Sequence, residues 1–191
     1  MAPYWRMIRR LHAARADRVS ELQSLLSGGD RRSIAHSARA SRIVHEDPSR
    51  VAELAALALD DDWLVSMRAL DLLEKLAHEH PDWVEPHRDV FLGRLAQSDK
   101  WEVHLQIVRA LPLFKWRPAE RARAVKILCL DLNYPQKFVR AWALDSLATF
   151  AVRNKRLRPL VERTLKEFEA SESKALITRA RDIRRRLREL G

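Results

Sequence analysis

Glycine is almost missing from this chain: Gly28, Gly29, Gly93 and Gly191 are all that occur in 191 residues. Phosphate-cradling P-loops, the Gly-rich dinucleotide fingerprint and the G-x-S-x-G nucleophile elbow each need glycines at set intervals, and none of these motifs is present. Cysteine occurs once, as Cys129, which excludes an internal disulfide. Set among Val125, Leu128 and Leu130, it reads as a small core residue in a reducing, cytoplasmic setting. No apolar run approaches the roughly 20 residues that span a bilayer. Residues 1–18 carry Arg6, Arg9, Arg10 and Arg15 with no acid before Asp17, and they lack the apolar core of a secretory signal. An Arg-rich organelle transit peptide is the targeting reading left open.

What is there is helix chemistry. Ala, Leu, Arg and Glu dominate, and 47% of the residues are hydrophobic, enough for a sizeable core. Asp47-Pro48-Ser49, Asp60-Asp61-Asp62, His80-Pro81-Asp82, Ser98-Asp99, Asn133-Tyr134-Pro135 and residues 169–173 interrupt the apolar periodicity with residues that start and cap helices. Five helical pairs are predicted. Their first members cover 18–26, 49–59, 84–96, 118–130 and 157–168, and their second members cover 30–44, 63–78, 101–111, 136–153 and 174–190.

The second members repeat. Val65, Val103 and Val139 are each followed four residues later by Ala69, Ile107 or Ala143, and eight residues later by Leu73, Leu111 or Leu147. The spacings are 38 and 36 residues. Leu176 with Ala180 extends the frame forward, and Ile34 with Ala38 extends it backward at a shorter interval of 31. A fixed period of this size marks stacked helical units, each burying its apolar face only against its neighbours.

The Asp in the turn, the Val and the Ala four positions on, seen best in Asp62-Trp63-Leu64-Val65 with Ala69 and in Phe138-Val139-Arg140 with Ala143, resemble the HEAT-repeat family of armadillo-like solenoids. The resemblance covers roughly residues 49–187. It implies an all-α, right-handed α-solenoid of about five hairpins in a single domain, 1–191. Within that domain, 1–48 would be an N-terminal cap or degenerate repeat, 49–153 the central repeats, and 154–191 a basic C-terminal capping repeat. Val65-Ser66 and Val103-His104 depart from the usual Val-Arg. The architecture serves adaptors, scaffolds and a few DNA-repair enzymes, so it does not name a function.

Stacked second helices place equivalent residues in rows. One position after the marker the row is Ser66, His104, Arg140; six positions after it the row is Asp71, Arg109, Asp145, Asp182. The alternating signs predict a ladder from Asp71 to Arg109 to Asp145, serving either inter-repeat register or ligand contact. Trp63 and Trp101 each precede the marker by two residues, either as staples over a turn or as a binding ridge. Trp83 and Trp116 lie near other turns, and Trp5 lies in the N-terminal segment. The candidate binding residues are therefore Trp63, Trp101, His104, Arg109, Arg140, Asp71 and Asp145.

Net charge is +5 over residues 1–50, −2 over 51–152 and +7 over 153–191, within a total of +10. The last helix sets Leu176, Ile177, Ala180, Ile183 and Leu187 on one stripe, with Arg179, Arg184, Arg185, Arg186 and Arg188 as a basic patch around it. Such a helix is either a solvated or protein-contacting cap or a binder of phosphate backbones. No helix-turn-helix, zinc-finger or RNA-binding signature accompanies it.

His78-Glu79-His80 with Asp82 and His87 is the densest group of ligand-type residues. It straddles a helix end and a Pro81 turn and lacks H-E-x-x-H, so no metal or cofactor is expected. Asp60-Asp61-Asp62 is explained as a helix start, where acids favour the dipole. The expected function is a non-catalytic scaffold or adaptor that binds a protein partner through its concave face. The alternative is a nucleic-acid binder acting through basic termini, of which a form that resembles the alkylpurine DNA glycosylases among HEAT-like solenoids would have Trp101, Trp63, Asp71, Asp145, Arg109 and Arg140 as its ingredients.

Overall fold

Apolar positions spaced three and four apart, with Pro, Asp or Ser at the breaks, fold the described part of this chain into helices. The computed structural model describes residues 19–30 and 36–189. Among the described residues there are ten α-helices and no strand. Trp5, the N-terminal arginines and Ile34 lie outside them. The α-helices are α1 (Glu21–Leu26), α2 (Ser37–Glu46), α3 (Val51–Leu57), α4 (Trp63–Glu79), α5 (Pro81–Val84), α6 (Trp101–Ala110), α7 (Pro118–Asp131), α8 (Lys137–Arg153), α9 (Arg158–Glu169) and α10 (Lys174–Glu189). No helix among these is long and apolar enough to cross a membrane.

The chain divides into two compact units, Met1–Ala69 and Leu70–Gly191. In the first, α1 packs on α2 and α3 around Leu22, Leu26, Val44 and Leu54, all fully buried. Ser20 caps α1 by accepting from the Gln23 N–H at 3.1 Å. After α1 the chain turns through Gly28 and Gly29, whose φ angles of 74° and 69° lie in the left-handed region. The carbonyls freed there do not go unanswered. Arg68, itself 3% exposed, donates to Leu26 O at 2.5 Å, Gly28 O at 2.8 Å and Asp30 O at 2.9 Å. On α2 it is Ala40 and Val44 that face inward, whereas Ala38 is exposed. The backward extension of the repeat frame therefore misplaces that helix by two residues.

In the second unit α8 is central, packing against α6, α7, α9 and α10. Its inward residues, Val139, Ala143, Leu144, Leu147 and Ala148, are fully buried. The helix predicted over 84–96 does not form as one α-helix. Instead α5 is followed by 3-10 segments at Glu85–Leu92 and Arg94–Gln97. Pro86 has no N–H to offer the Asp82 carbonyl, and at Gly93 the backbone leaves helical geometry, with ψ at −147°. Val84, Val90, Phe91, Leu92 and Leu95 are buried nonetheless, so the apolar pattern was a true signal of burial with the wrong helical period.

Candidate functional site

The row one position after the marker serves the inside of the molecule. Ser66 Oγ donates to Ala58 O at 2.7 Å, Arg140 Nε donates to Leu132 O at 3.1 Å, and His104 Nε2 lies 2.9 Å from Ser98 O. Ala58, Leu132 and Ser98 are in each case the C-cap of the preceding helical segment. The same repeat position thus satisfies the same orphan carbonyl three times with three different side chains. His104 goes further, because its Nδ1 lies 2.9 Å from Asp131 Oδ1 and its ring packs on Tyr134 with centroids 4.6 Å apart. Burial by itself pushes the His104 imidazole down, but the hydrogen bond and charge of Asp131, with the Ser98 carbonyl, outweigh it and hold the group above its ordinary value.

The row six positions after the marker does not form the expected ladder. Asp71 accepts from Lys75 Nζ at 2.6 Å and from Gln106 Nε2 at 3.1 Å. Arg109 Nη2 lies 3.0 Å from Glu74 Oε1 and its guanidinium sits 5.2 Å from the Trp142 ring centroid. Asp145 accepts from Arg179 at 2.9 Å and from Arg186. The pairing is diagonal because long side chains on neighbouring helices reach toward a turn above or below rather than straight across.

These diagonals meet on Trp142. Arg179 covers one part of the indole at 3.8 Å from its centroid while Arg109 approaches at 5.2 Å. Each guanidinium is anchored by a carboxylate, Glu74 for Arg109 and Asp145 for Arg179. The Glu74 side chain is fully buried, and burial raises its carboxyl above the usual range against the pull of Arg109 and His78, with Asp71 adding to the rise. Trp142, Arg109 and Arg179 stay partly exposed. Trp142 and Arg179, with Phe138, Ala141, Lys174, Ala175, Thr178 and Asp182, line a hollow of about 400 Å³. Sequence reasoning missed Trp142, Glu74 and Gln106. A row drawn three positions after the marker, Arg68, Gln106, Trp142, Arg179, would have found two of them.

The remaining candidates separate. Trp63 opens α4 and is 37% exposed; Trp101 opens α6 half-buried. Trp83 stacks on His80 at 3.9 Å, and Trp116 is buried with Nε1 donating to Leu111 O at 2.7 Å. Arg140 also lies 5.3 Å from the Phe168 ring centroid. Of the basic patch, Arg179 and Arg186 bind Asp145, and Arg184 binds Glu162 and Glu169. Arg185 and Arg188 are exposed, the former 3.1 Å from Asp182. Much of the charge predicted for that helix is therefore neutralised in place.

No protein-family model matches the chain, and no curated protein does. Eleven chains of solved structures match it. One is the crystal structure of an engineered protein from the Northeast Structural Genomics Consortium, with 18% identity and a TM-score of 0.60 over 91% of this chain and 82% of that one. At such identity the likeness speaks for the helical fold alone.

Proposed function

We propose that the chain is a non-catalytic, HEAT-like α-solenoid of about five hairpins, and that it binds a protein partner along the exposed edge of its second helices. The solenoid reading is supported by the thrice-repeated cap of Ser66, His104 and Arg140, since equivalent residues making equivalent bonds is what a structural repeat means. The binding reading rests on one observation: Trp142 in contact with both Arg109 and Arg179, each anchored by an acid and all three partly exposed. Trp and Arg fixed in this manner lose little entropy on contact, and they are the side chains enriched in interaction hot spots. Pairing of Arg179, Arg184 and Arg186 with carboxylates leaves fewer cations for phosphates, which favours protein over nucleic acid.

Two measurements test this. Labelled duplex and single-stranded DNA, titrated by anisotropy from about 50 to 300 mM salt, should bind weakly and be lost at physiological salt. Sub-micromolar binding that persists there and falls with Arg185→Ala plus Arg188→Ala transfers the chain to the nucleic-acid class. A photo-crosslinking residue at Thr178, beside Trp142, should give a discrete protein adduct that Trp142→Ala abolishes. The same residue at Leu130, 65% exposed on α7, should give none.

A further inference from the structure

A second groove lies away from Trp142, between the loop after α6, the start of α7 and the C-terminal end of α8, with a volume of about 570 Å³. Pro112, Leu113, Phe114 and Trp116 line one side, and Phe150 and Val152 line the other. Lys115, Arg121 and Arg153 are its charged lining residues, and no carboxylate is among them. None of the three makes an ion pair among the described residues, whereas the arginines of α10 that face inward all do. Two carboxylates that touch this segment, Glu85 and Glu120, are already engaged. Glu85 holds Arg88 and accepts from the Lys115 backbone N–H, and Glu120 is drawn down to about 2 by the hydrogen-bonding guanidinium of Arg117.

We infer that this groove binds a short acidic peptide segment of a partner protein, seating one apolar side chain between Phe114, Phe150 and Val152 while its carboxylates meet Lys115, Arg121 and Arg153. Complementary charge selects the class of occupant, since a cationic rim with no acid of its own repels basic segments and attracts acidic ones. The volume lies within the range of specific binding pockets, and it accommodates an apolar side chain with its flanking backbone. Asn154, whose Oδ1 accepts from the Arg156 N–H at 3.2 Å, keeps its amide donors for a peptide carbonyl. A nucleic-acid strand fits less well, because base binding needs an open aromatic face. Trp116 is 5% exposed with Arg88 5.7 Å from its ring centroid and Phe114 edge-on at 5.6 Å, so neither ring presents one.

The test uses the full chain and fluorescein-labelled peptides of about eight residues, each with one Phe or Leu among glutamates. Matched peptides carry glutamine for glutamate, and labelled oligothymidylate serves as the nucleic-acid probe. At least one glutamate peptide should bind, and the double reversal Lys115→Glu with Arg153→Glu should weaken it at least tenfold with an unchanged thermal midpoint. Lys126→Glu, exposed on α7 outside the groove, should leave affinity within twofold. The indole N–H resonance of Trp116 should shift during the titration. The inference is overturned if no glutamate peptide binds at 1 mM, if the glutamine peptides bind as tightly, or if oligothymidylate binds more tightly with the same sensitivity to the reversal.

Discussion

Two rows on the same second helices, one position and six positions after the marker residue, are equally polar and are put to opposite uses. Ser66, His104 and Arg140 point back at the end of the preceding helix and close its C-cap. Arg109, with Trp142 and Arg179 from the row between, links neighbouring helices while remaining partly exposed, and the buried Asp145 anchors Arg179 from within. A helix advances 100° per residue, so five positions apart is enough to exchange the interior for the edge. A polar residue in a repeat is therefore read by its angle to the hairpin before its chemistry.

If the inner row is structural, breaking it should cost most. His104→Ala leaves Asp131, 2% exposed, without its partner, and a loss of about 3 kcal/mol is expected, seen as a thermal midpoint lower by roughly 6–12 °C. The same pair sets a pH dependence. Because the His104 imidazole is held above its ordinary value only in the folded chain, its contribution is fully present below about pH 6.5. It is lost as pH rises through the folded value. Urea midpoints of the native chain should fall between pH 6 and 9, and those of His104→Gln should fall less.

The outer row should respond in a graded way. Arg109→Ala leaves the buried Glu74 carboxylate to His78 alone, 2.8 Å away, and should cost about 2 kcal/mol in urea unfolding. Glu74→Gln, which removes a charge that burial already disfavours and keeps an acceptor for Arg109, should be close to neutral. A double-mutant cycle on the two reports the coupling directly. Trp142→Ala should cost about 1–2 kcal/mol through lost packing and two cation–π contacts, yet abolish the Thr178 adduct. Equal loss of stability from Trp142→Ala and His104→Ala would erase the distinction between the rows.

The smallest effects belong to α10. Arg184→Ala should cost under about 1 kcal/mol, since its bridges to Glu162 and Glu169 are solvent-screened. The hydrogen bond from Arg184 holds the Glu169 carboxyl below its usual range, so this contribution is present above the ordinary carboxylate pKa and lost as pH falls through the lowered one. Arg188→Ala should leave the thermal midpoint unchanged.

Much of the helical layout was legible beforehand, because Pro, Asp and Ser mark where backbone hydrogen bonding must be interrupted and apolar spacing marks what is buried. Trp63, Trp101, Pro118 and Lys174 begin helices where the pattern places their starts. The segment 84–96 was not legible in the same way, since Val84, Val90, Phe91 and Leu95 satisfy an α pattern and a three-residue pattern almost equally. Pro86 decided between them. In the candidate site, Arg109 and Asp145 stood out as charges in a row, but Trp142, which meets Arg109 and Arg179, did not. A tryptophan in the second turn of an apolar helix looks like core until neighbouring helices show that its face is left partly exposed.

Composition and periodicity by themselves determined an all-helical chain, the positions of most helix ends and the apolar residues of the second helices, because these depend on contacts within a few residues. Tertiary structure alone decided that His104 is an internal tie, that Arg109 pairs with Glu74 rather than Asp71, and that Trp142 meets two arginines. Those outcomes depend on how far a side chain reaches and at what angle two helices meet, and no interval along the chain records either quantity.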